Sequence, residues 1–205
     1  MKYNIYSENI NDYLKLDSIV DYDNGLIKDL SDSLYEKSNG IIDYIKKCFE
    51  YVRDNIKHSN DYSINDVTCK ASEVLEKGHG ICFAKSHLLA SLLRIKGIPC
   101  GFSYQKLVLD DELNPTLIYH GLNGVYIKEL DKWIRLDARG NKEGVDAQFS
   151  LEEEKLAFPI RTNLGEEDKC IIYPNPDKNV IFALTHNSTR FELWDNLPQE
   201  LEYEK

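Results

Sequence analysis

The sequence predicts an α+β fold in which helices precede an antiparallel sheet. Between residues 26 and 95, several segments have apolar side chains every three or four positions, which is the spacing of amphipathic helices. After Pro99 the period changes to two, which is the spacing of strands. Helices that precede the strands, instead of alternating with them, are typical of the α+β class.

The helical half of the chain divides into four segments. The apolar spacing predicts them at residues 26–35, 41–56 and 70–76 and in a longer helix that begins next to Cys82. Gly97 is a suitable C-terminal stop for the last of these helices, and Pro99 blocks its continuation.

The period of two predicts three sheet strands, at residues 102–109, 117–127 and 133–137. In the tail we expect a short helix at residues 151–157 and strands at 170–173 and 180–184.

Length and composition favour one globular domain. The 205 residues are 42% hydrophobic and 29% charged, which is ordinary for a chain that buries a core. We expect a single domain made of an N-terminal helical part (1–66), a central core (67–140) and an acidic C-terminal extension (141–205).

The net charge of −10 argues against nucleic-acid partners and against docking on anionic membranes, because both need a basic surface. The charge is uneven: residues 67–142 carry 11 basic and 8 acidic side chains, whereas both flanking segments are acidic. The candidate chemistry lies in this less acidic middle third.

Five cysteines, an odd number without a Cys-x-x-Cys pair, predict neither a disulfide framework nor a zinc ribbon. The N-terminus lacks the apolar stretch of a signal peptide, and no segment has the length of a membrane span. The expected location is therefore the reducing cytoplasm, with free thiols.

Cys82 is the candidate nucleophile among these thiols. Gly80 permits a sharp approach of the backbone, and the following helix places the sulfur at a helix N-terminus. The helix dipole and unpaired N–H groups there favour a thiolate and lower the pKa of a thiol. The alternative is that Cys82 is a small apolar core residue.

A thiol nucleophile needs a base, and the base needs an orienting partner. If residues 128–131 form a four-residue hairpin loop, Ile127 pairs with Lys132 and Asp137 lies diagonally opposite His120 on the same face. In that register the carboxylate is within reach of the imidazole. A register shifted by one residue would separate them.

The remaining histidines are weaker candidates for a base, and we expect them to be structural or surface residues: His58, His79, His87 and His186. His79, Cys82 and His87 are spaced somewhat like metal ligands. His87 lies roughly 140° around the helix axis from Cys82, so the set does not complete a tetrahedral site. We expect no metal and no cofactor.

Three motifs together resemble the transglutaminase-like superfamily, in its cysteine protease or amidase subgroup. They are Gly-His-Gly-Ile-Cys at residues 78–82 with Gly-Ile-Pro at 97–99, the His strand at 120–126, and Trp-Ile-Arg-Leu-Asp at 133–137. The order Cys, His, Asp and the gaps of 38 and 17 residues also resemble the family. The resemblance covers roughly residues 45–140.

The resemblance implies a papain-like core, with a nucleophile Cys at a helix N-terminus packed on an antiparallel sheet. Cys82 would be the nucleophile, His120 the base and acid, and Asp137 the orienting group. One departure is Leu122, where the family often has a Trp that walls the site. We expect Arg139 to pair with an acid of the tail, which in such a subgroup would pack near the site.

An oxyanion hole needs two donors. The backbone N–H of Cys82 is one candidate. Candidates for the second are Gln105, Tyr62 and His79, and the sequence does not rank them.

The predicted function is hydrolysis of a peptide or amide through a thioester on Cys82, with a peptide, protein or amide substrate. An acyltransferase similar to arylamine N-acetyltransferases shares the order Cys, His, Asp and remains an alternative. A catalytically silent binding module with the same fold is a third hypothesis.

Overall fold

The computed structural model describes residues 3–111 and 114–204. Six α-helices run through these residues: α1 Gly25–Glu36, α2 Ile41–Asn55, α3 Ala71–Lys77, α4 Cys82–Arg94, α5 Lys178–His186 and α6 Arg190–Asp195. The strands in the same residues are β1 Asn4–Ile5, β2 Lys57–His58, β3 His79–Gly80, β4 Cys100–Asp110, β5 Asn114–Ile127, β6 Lys132–Leu136, β7 Glu167–Asp168 and β8 Ile171–Ile172. The predicted α+β class is confirmed.

Helix α4 is the centre of the molecule. Every residue after Cys82 in this helix is buried, including the charged Lys85 and Arg94. A helix enclosed on all sides belongs in the core of a domain, and α4 packs against α2 and α3 on one side and β5 on the other. Cys82, its first residue, is partly exposed.

The four-stranded sheet has the order β6-β5-β4-β7, and its strands are antiparallel. Ile127 pairs with Lys132 and Asn123 with Leu136, which is the register that the four-residue hairpin loop predicts. Side chains of His120 and Asp137 are therefore on one face, as alternation along both strands requires. Two short parallel pairs, β1 with β8 and β2 with β3, lie beside this sheet.

Gly121 allows α4 to lie close against β5. A Cβ atom at this position would be 2.5 Å from Cδ1 of Phe83, closer than side-chain atoms approach. Two positions along the strand, the amide of Asn123 donates to the carbonyl of Ser86 at 3.0 Å and thereby joins the strand to the helix. These contacts bring the start of α4, and with it Cys82, next to the middle of β5.

The tail departs from the sequence predictions at two places. Residues 180–184, predicted as a strand, lie within helix α5, whose N-cap Asp177 accepts a hydrogen bond from Asn179. A run of five apolar residues fits a buried helix as well as a strand, and here the cap favours the helix. Residues 151–157, predicted as a short helix, form irregular structure with an isolated bridge between Gln148 and Lys155.

One cluster of buried apolar side chains extends from Ile19 in the N-terminal part to Leu201 in the tail. The tail therefore packs on the same core as the helices. Among the described residues, no helix combines the length and apolar character needed to cross a bilayer.

Candidate active site

Cys82 is positioned by the short, closely packed segment that precedes it. Strand β3 ends at Gly80, which pairs with His58 of β2, and Cys82 begins α4 two residues later. Gly80 does not adopt a positive φ; it is needed because a Cβ would lie 2.9 Å from Oγ1 of Thr68 and 3.0 Å from Cβ of Ala84. The first N–H groups of a helix have no intrahelical acceptor, so that of Cys82 is available to a ligand.

His120 and Asp137 form a buried pair. Nε2 of His120 lies 2.8 Å from Oδ2 of Asp137, and the two residues are 4% and 1% exposed. The same carboxylate accepts backbone hydrogen bonds from Ala157 at 3.0 Å and from Arg139 at 3.2 Å. Because Nε2 is paired with Asp137, the other ring nitrogen is left to face Cys82, whose sulfur lies close enough to raise the pKa of His120.

The charges of this pair favour a protonated imidazole. Burial alone would lower the pKa of His120, but the carboxylate of Asp137 and the sulfur of Cys82 raise it to about 10. Burial alone would raise the pKa of Asp137, but the His120 imidazole and the two backbone N–H groups hold it below its ordinary value. His120 is thus an imidazolium at neutral pH.

A cleft of about 790 Å³ opens beside Cys82 and His120. Its apolar walls come from α4 and its approach, from the sheet and from the tail: Ile81, Phe83, Leu107, Leu109, Ile118, Phe158, Pro159, Trp194 and Leu197. Charged and polar side chains also line the cleft, and concave sites that combine apolar walls with polar groups are typical binding sites. The tail thus contributes directly to the cleft, as the resemblance implied.

Phe158 of the tail closes one side of His120. Its ring meets the imidazole edge to face at 5.2 Å between centroids, and the guanidinium of Arg139 lies 5.6 Å from the same ring. Arg139 pairs with Asp61, at 2.7 and 3.0 Å, so its partner is not an acid of the tail as the sequence predicted. The pair connects the loop after β6 to the loop after β2.

The three candidates for a second oxyanion donor lie elsewhere. Nε2 of Gln105 donates to Asp168 at 3.0 Å, and Gln105 lines a separate cavity. Tyr62 is 62% exposed, and Nδ1 of His79 is 3.1 Å from the hydroxyl of Ser59. None of the three lines the cleft that contains Cys82.

Several residues of the cleft were not singled out by the sequence. Phe158 and Trp194 belong to the tail, where no pattern relates them to residues 82, 120 or 137. His58, expected from the sequence to be a structural or surface residue, is 6% exposed and lines the cleft. Leu122 is buried and does not line it, so the apolar wall is supplied by other side chains.

No group of three or more His, Cys, Asp or Glu side chains suited to a metal ion occurs among residues 3–111 and 114–204. His87, one member of the candidate cluster, instead places Nδ1 2.7 Å from the carbonyl of Cys69.

A thiol at a helix N-terminus, facing an imidazole that a carboxylate holds on an antiparallel sheet, defines the papain-like architecture. A model of the transglutaminase-like superfamily matches residues 28–138, more than half of the chain and all three of these positions. The chain belongs to this superfamily, a family of cysteine-dependent enzymes.

The solved structures that match the chain include two with descriptive names. One is described as "a Putative Cysteine Protease from Cytophaga hutchinsonii"; it is 21% identical, with a TM-score of 0.51, over 65% of this chain and 43% of that chain. The other is described as a TGase; it is 18% identical, with a TM-score of 0.46, over 72% of this chain and 42% of that chain. The chain thus spans less than half of either structure. The search of curated proteins found no match.

Proposed function

We propose that the protein hydrolyses a peptide or amide bond through a thioester on Cys82. The observation that carries this proposal is the buried His120, held by Asp137 at 2.8 Å and adjoining Cys82 in an open cleft. A base oriented by a third group beside a nucleophile is the recurring arrangement for acyl transfer.

In the first step the sulfur of Cys82 attacks the carbonyl carbon, and the carbonyl electron pair moves to oxygen. The tetrahedral intermediate collapses when the carbon–nitrogen bond breaks, and His120 gives its proton to the leaving amine. A pKa of about 10 keeps that proton on His120 at neutral pH, so the acid is ready before the substrate arrives.

In the second step a nucleophile resolves the thioester. After the amine leaves, the neutral imidazole of His120 can take a proton from water, whose oxygen attacks the acyl carbon. The carbon–sulfur bond then breaks, which releases the carboxylic acid and leaves a Cys82 thiolate beside the His120 imidazolium. Water is abundant in a cleft open to solvent, so hydrolysis is favoured over transfer to a second amine.

The proposed substrate is a peptide, protein or amide, and the proposed location is the cytoplasm. The described cysteines are all free, and a thiol nucleophile stays active in a reducing compartment. No cofactor enters the proposed steps.

The test uses p-nitrophenyl acetate as an acyl donor and iodoacetamide as an alkylating probe. Wild-type protein should release nitrophenolate and carry one acetyl group on Cys82 by intact mass and peptide mapping. Cys82→Ala should lose both, because no other group replaces the nucleophile. Cys170→Ala is the matched control, because Cys170 is also free and partly exposed, and it should behave as wild type.

Digestion of a peptide mixture, read by mass spectrometry, then tests amide hydrolysis itself. Full activity of Cys82→Ala would refute the thioester mechanism. Equal, slow alkylation of all five thiols would instead favour a binding module. Acetylation by acetyl-CoA without peptide cleavage would favour the acyltransferase alternative.

A further inference from the structure

His58 is a second histidine in the cleft, placed there by the backbone beside the nucleophile. Strand β2 pairs in parallel with β3, and His58 lies opposite Gly80, two residues before Cys82. Adjacent strands are about 4.8 Å apart, so the backbone of His58 is next to the turn that delivers the sulfur. Its side chain lines the same cleft as Cys82 and His120.

The ring of His58 has unused hydrogen-bonding capacity. It is 6% exposed, and no described residue makes a hydrogen bond to its Nδ1. Oδ2 of Asp61 lies 3.8 Å away, beyond hydrogen-bond range. That carboxylate already accepts hydrogen bonds from Arg139 and Lys142. An unpaired buried polar atom is costly, but Nδ1 is itself covered by protein, so the hydrogen-bonding capacity that the ring can offer to a ligand lies at Nε2.

The charges around the ring keep it neutral. Burial is the largest effect and, with the cationic Arg139, Lys85 and His120, holds the pKa of His58 well below its usual range. Asp61 opposes this shift, but it is shared with Arg139 and Lys142. A neutral imidazole carries one N–H donor, and it places no positive charge beside the thiol.

The other polar side chains of this wall are less suitable donors. Arg139 and Lys142 direct their cationic groups to Asp61. Asn60 also lines the cleft, but its side chain is only partly buried, and its Oδ1 accepts from Arg190 at 2.9 Å. A donor in water stabilises a developing charge less than one that is shielded from water.

We propose that His58 is the second oxyanion donor, acting with the backbone N–H of Cys82. As the carbon–sulfur bond forms, the carbonyl electron pair moves to oxygen, and the His58 N–H hydrogen-bonds to that oxygen without giving up its proton. When the intermediate collapses, the electron pair returns and the leaving group departs. This inference rests on the proposed function, because a protein that forms no tetrahedral intermediate needs no such donor.

The experiment compares two reactions of the same sulfur. Acetylation by p-nitrophenyl acetate passes through an oxyanion, whereas alkylation by iodoacetamide does not. His58→Ala should slow acetylation of Cys82 by about 10²- to 10³-fold, the usual effect of removing one oxyanion donor. Its alkylation rate should stay within about twofold of wild type, and His58→Gln, which keeps an N–H donor, should recover part of the acetylation rate.

Two variants serve as controls. His186→Ala removes an exposed histidine from α5 and should leave both rates unchanged. Asn60→Ala tests the competing donor and should slow acetylation by less than His58→Ala does.

The outcomes separate the inference from the proposed function. If Cys82 of the wild-type protein is never acylated, the proposed function is refuted, and the inference that rests on it is refuted as well. Acetylation that survives intact in both His58 variants overturns the inference alone. Loss of alkylation together with acetylation in both variants also overturns it, because His58 would then support the thiol or the fold.

Discussion

At the scale of single residues, the proton on His120 is held by its neighbours. Burial would release it, but Asp137 and Cys82 raise the pKa to about 10, above the value near 6.5 of an unfolded chain. The pair therefore stabilises the folded state fully below about pH 6.5, provided that Asp137 is ionised. This stabilisation disappears as the pH rises through 10, and in acid as the pH falls through the lowered pKa of Asp137.

Replacing Asp137 by Asn tests this electrostatic account. The amide keeps the size of the side chain but removes the negative charge 2.8 Å from Nε2, so the pKa of His120 should fall by about one to three pH units. NMR titration of labelled histidine rings measures the change directly. His58 should remain neutral across the neutral range in both proteins, since its pKa is already far below 6.5. Titration of wild-type His120 near 6.5 would contradict the account.

At the scale of secondary-structure elements, the sequence predicted the pairing of β5 with β6 because the hairpin loop is short. A loop of four residues fixes Ile127 opposite Lys132, and alternation then determines the face of every later residue. The same reasoning had no access to His58 or Phe158. Both reach the cleft through contacts between segments far apart in the chain, and neither lies in a pattern of period two or 3.6.

The contact of α4 with β5 yields a second prediction. In Gly121→Ala the new methyl would overlap Phe83, so the free energy of unfolding should fall by about 1–3 kcal/mol. Alkylation of Cys82 should also slow, because Phe83 follows it in the helix. Urea denaturation and iodoacetamide kinetics measure the two effects.

A matched glycine and a double mutant provide the controls. Gly25→Ala, at the start of α1 with no atom within 4 Å of the new Cβ, should leave stability equal or slightly higher. In a Phe83→Leu background, Gly121→Ala should lower the free energy of unfolding by less, because the phenyl ring that the new methyl would overlap is absent. An equal cost in both backgrounds would rule out the overlap as the cause.

At the scale of the whole molecule, Arg135 connects the sheet to the tail. This residue of β6 is 3% exposed, and its guanidinium donates to Glu154 at 2.6 and 3.0 Å and to Asp168 at 2.8 Å through two nitrogens. Planar two-point pairing of this kind suits arginine and not lysine. Through these pairs the acidic tail stays on the sheet, where Phe158 and Trp194 complete the cleft.

Removing the guanidinium should therefore loosen the tail. Arg135→Met keeps an unbranched apolar side chain but leaves the carboxylates of Glu154 and Asp168 without their cation, and breaking a buried pair costs about 3–5 kcal/mol. Glu154 retains some contact with water, so we expect the low end of this range. The free energy of unfolding at pH 7, measured by urea denaturation, should fall by about 3 kcal/mol. Lys155→Ala, which removes an exposed pair with Glu153, should cost less than about 1 kcal/mol.

The pH dependence of the loss of stability in Arg135→Met identifies its physical cause. Two carboxylates without a cation in a buried site have raised pKa values, so acid neutralises them more readily than in an unfolded chain. The destabilisation of Arg135→Met should accordingly shrink as the pH falls from 7 toward 5. In the wild type, the paired carboxylates of Glu154 and Asp168 should add no stability over the same range. A loss that is constant with pH would assign the role of Arg135 to packing. Partial trypsin digestion that cuts the tail equally fast in both proteins would show that the pair does not hold the tail.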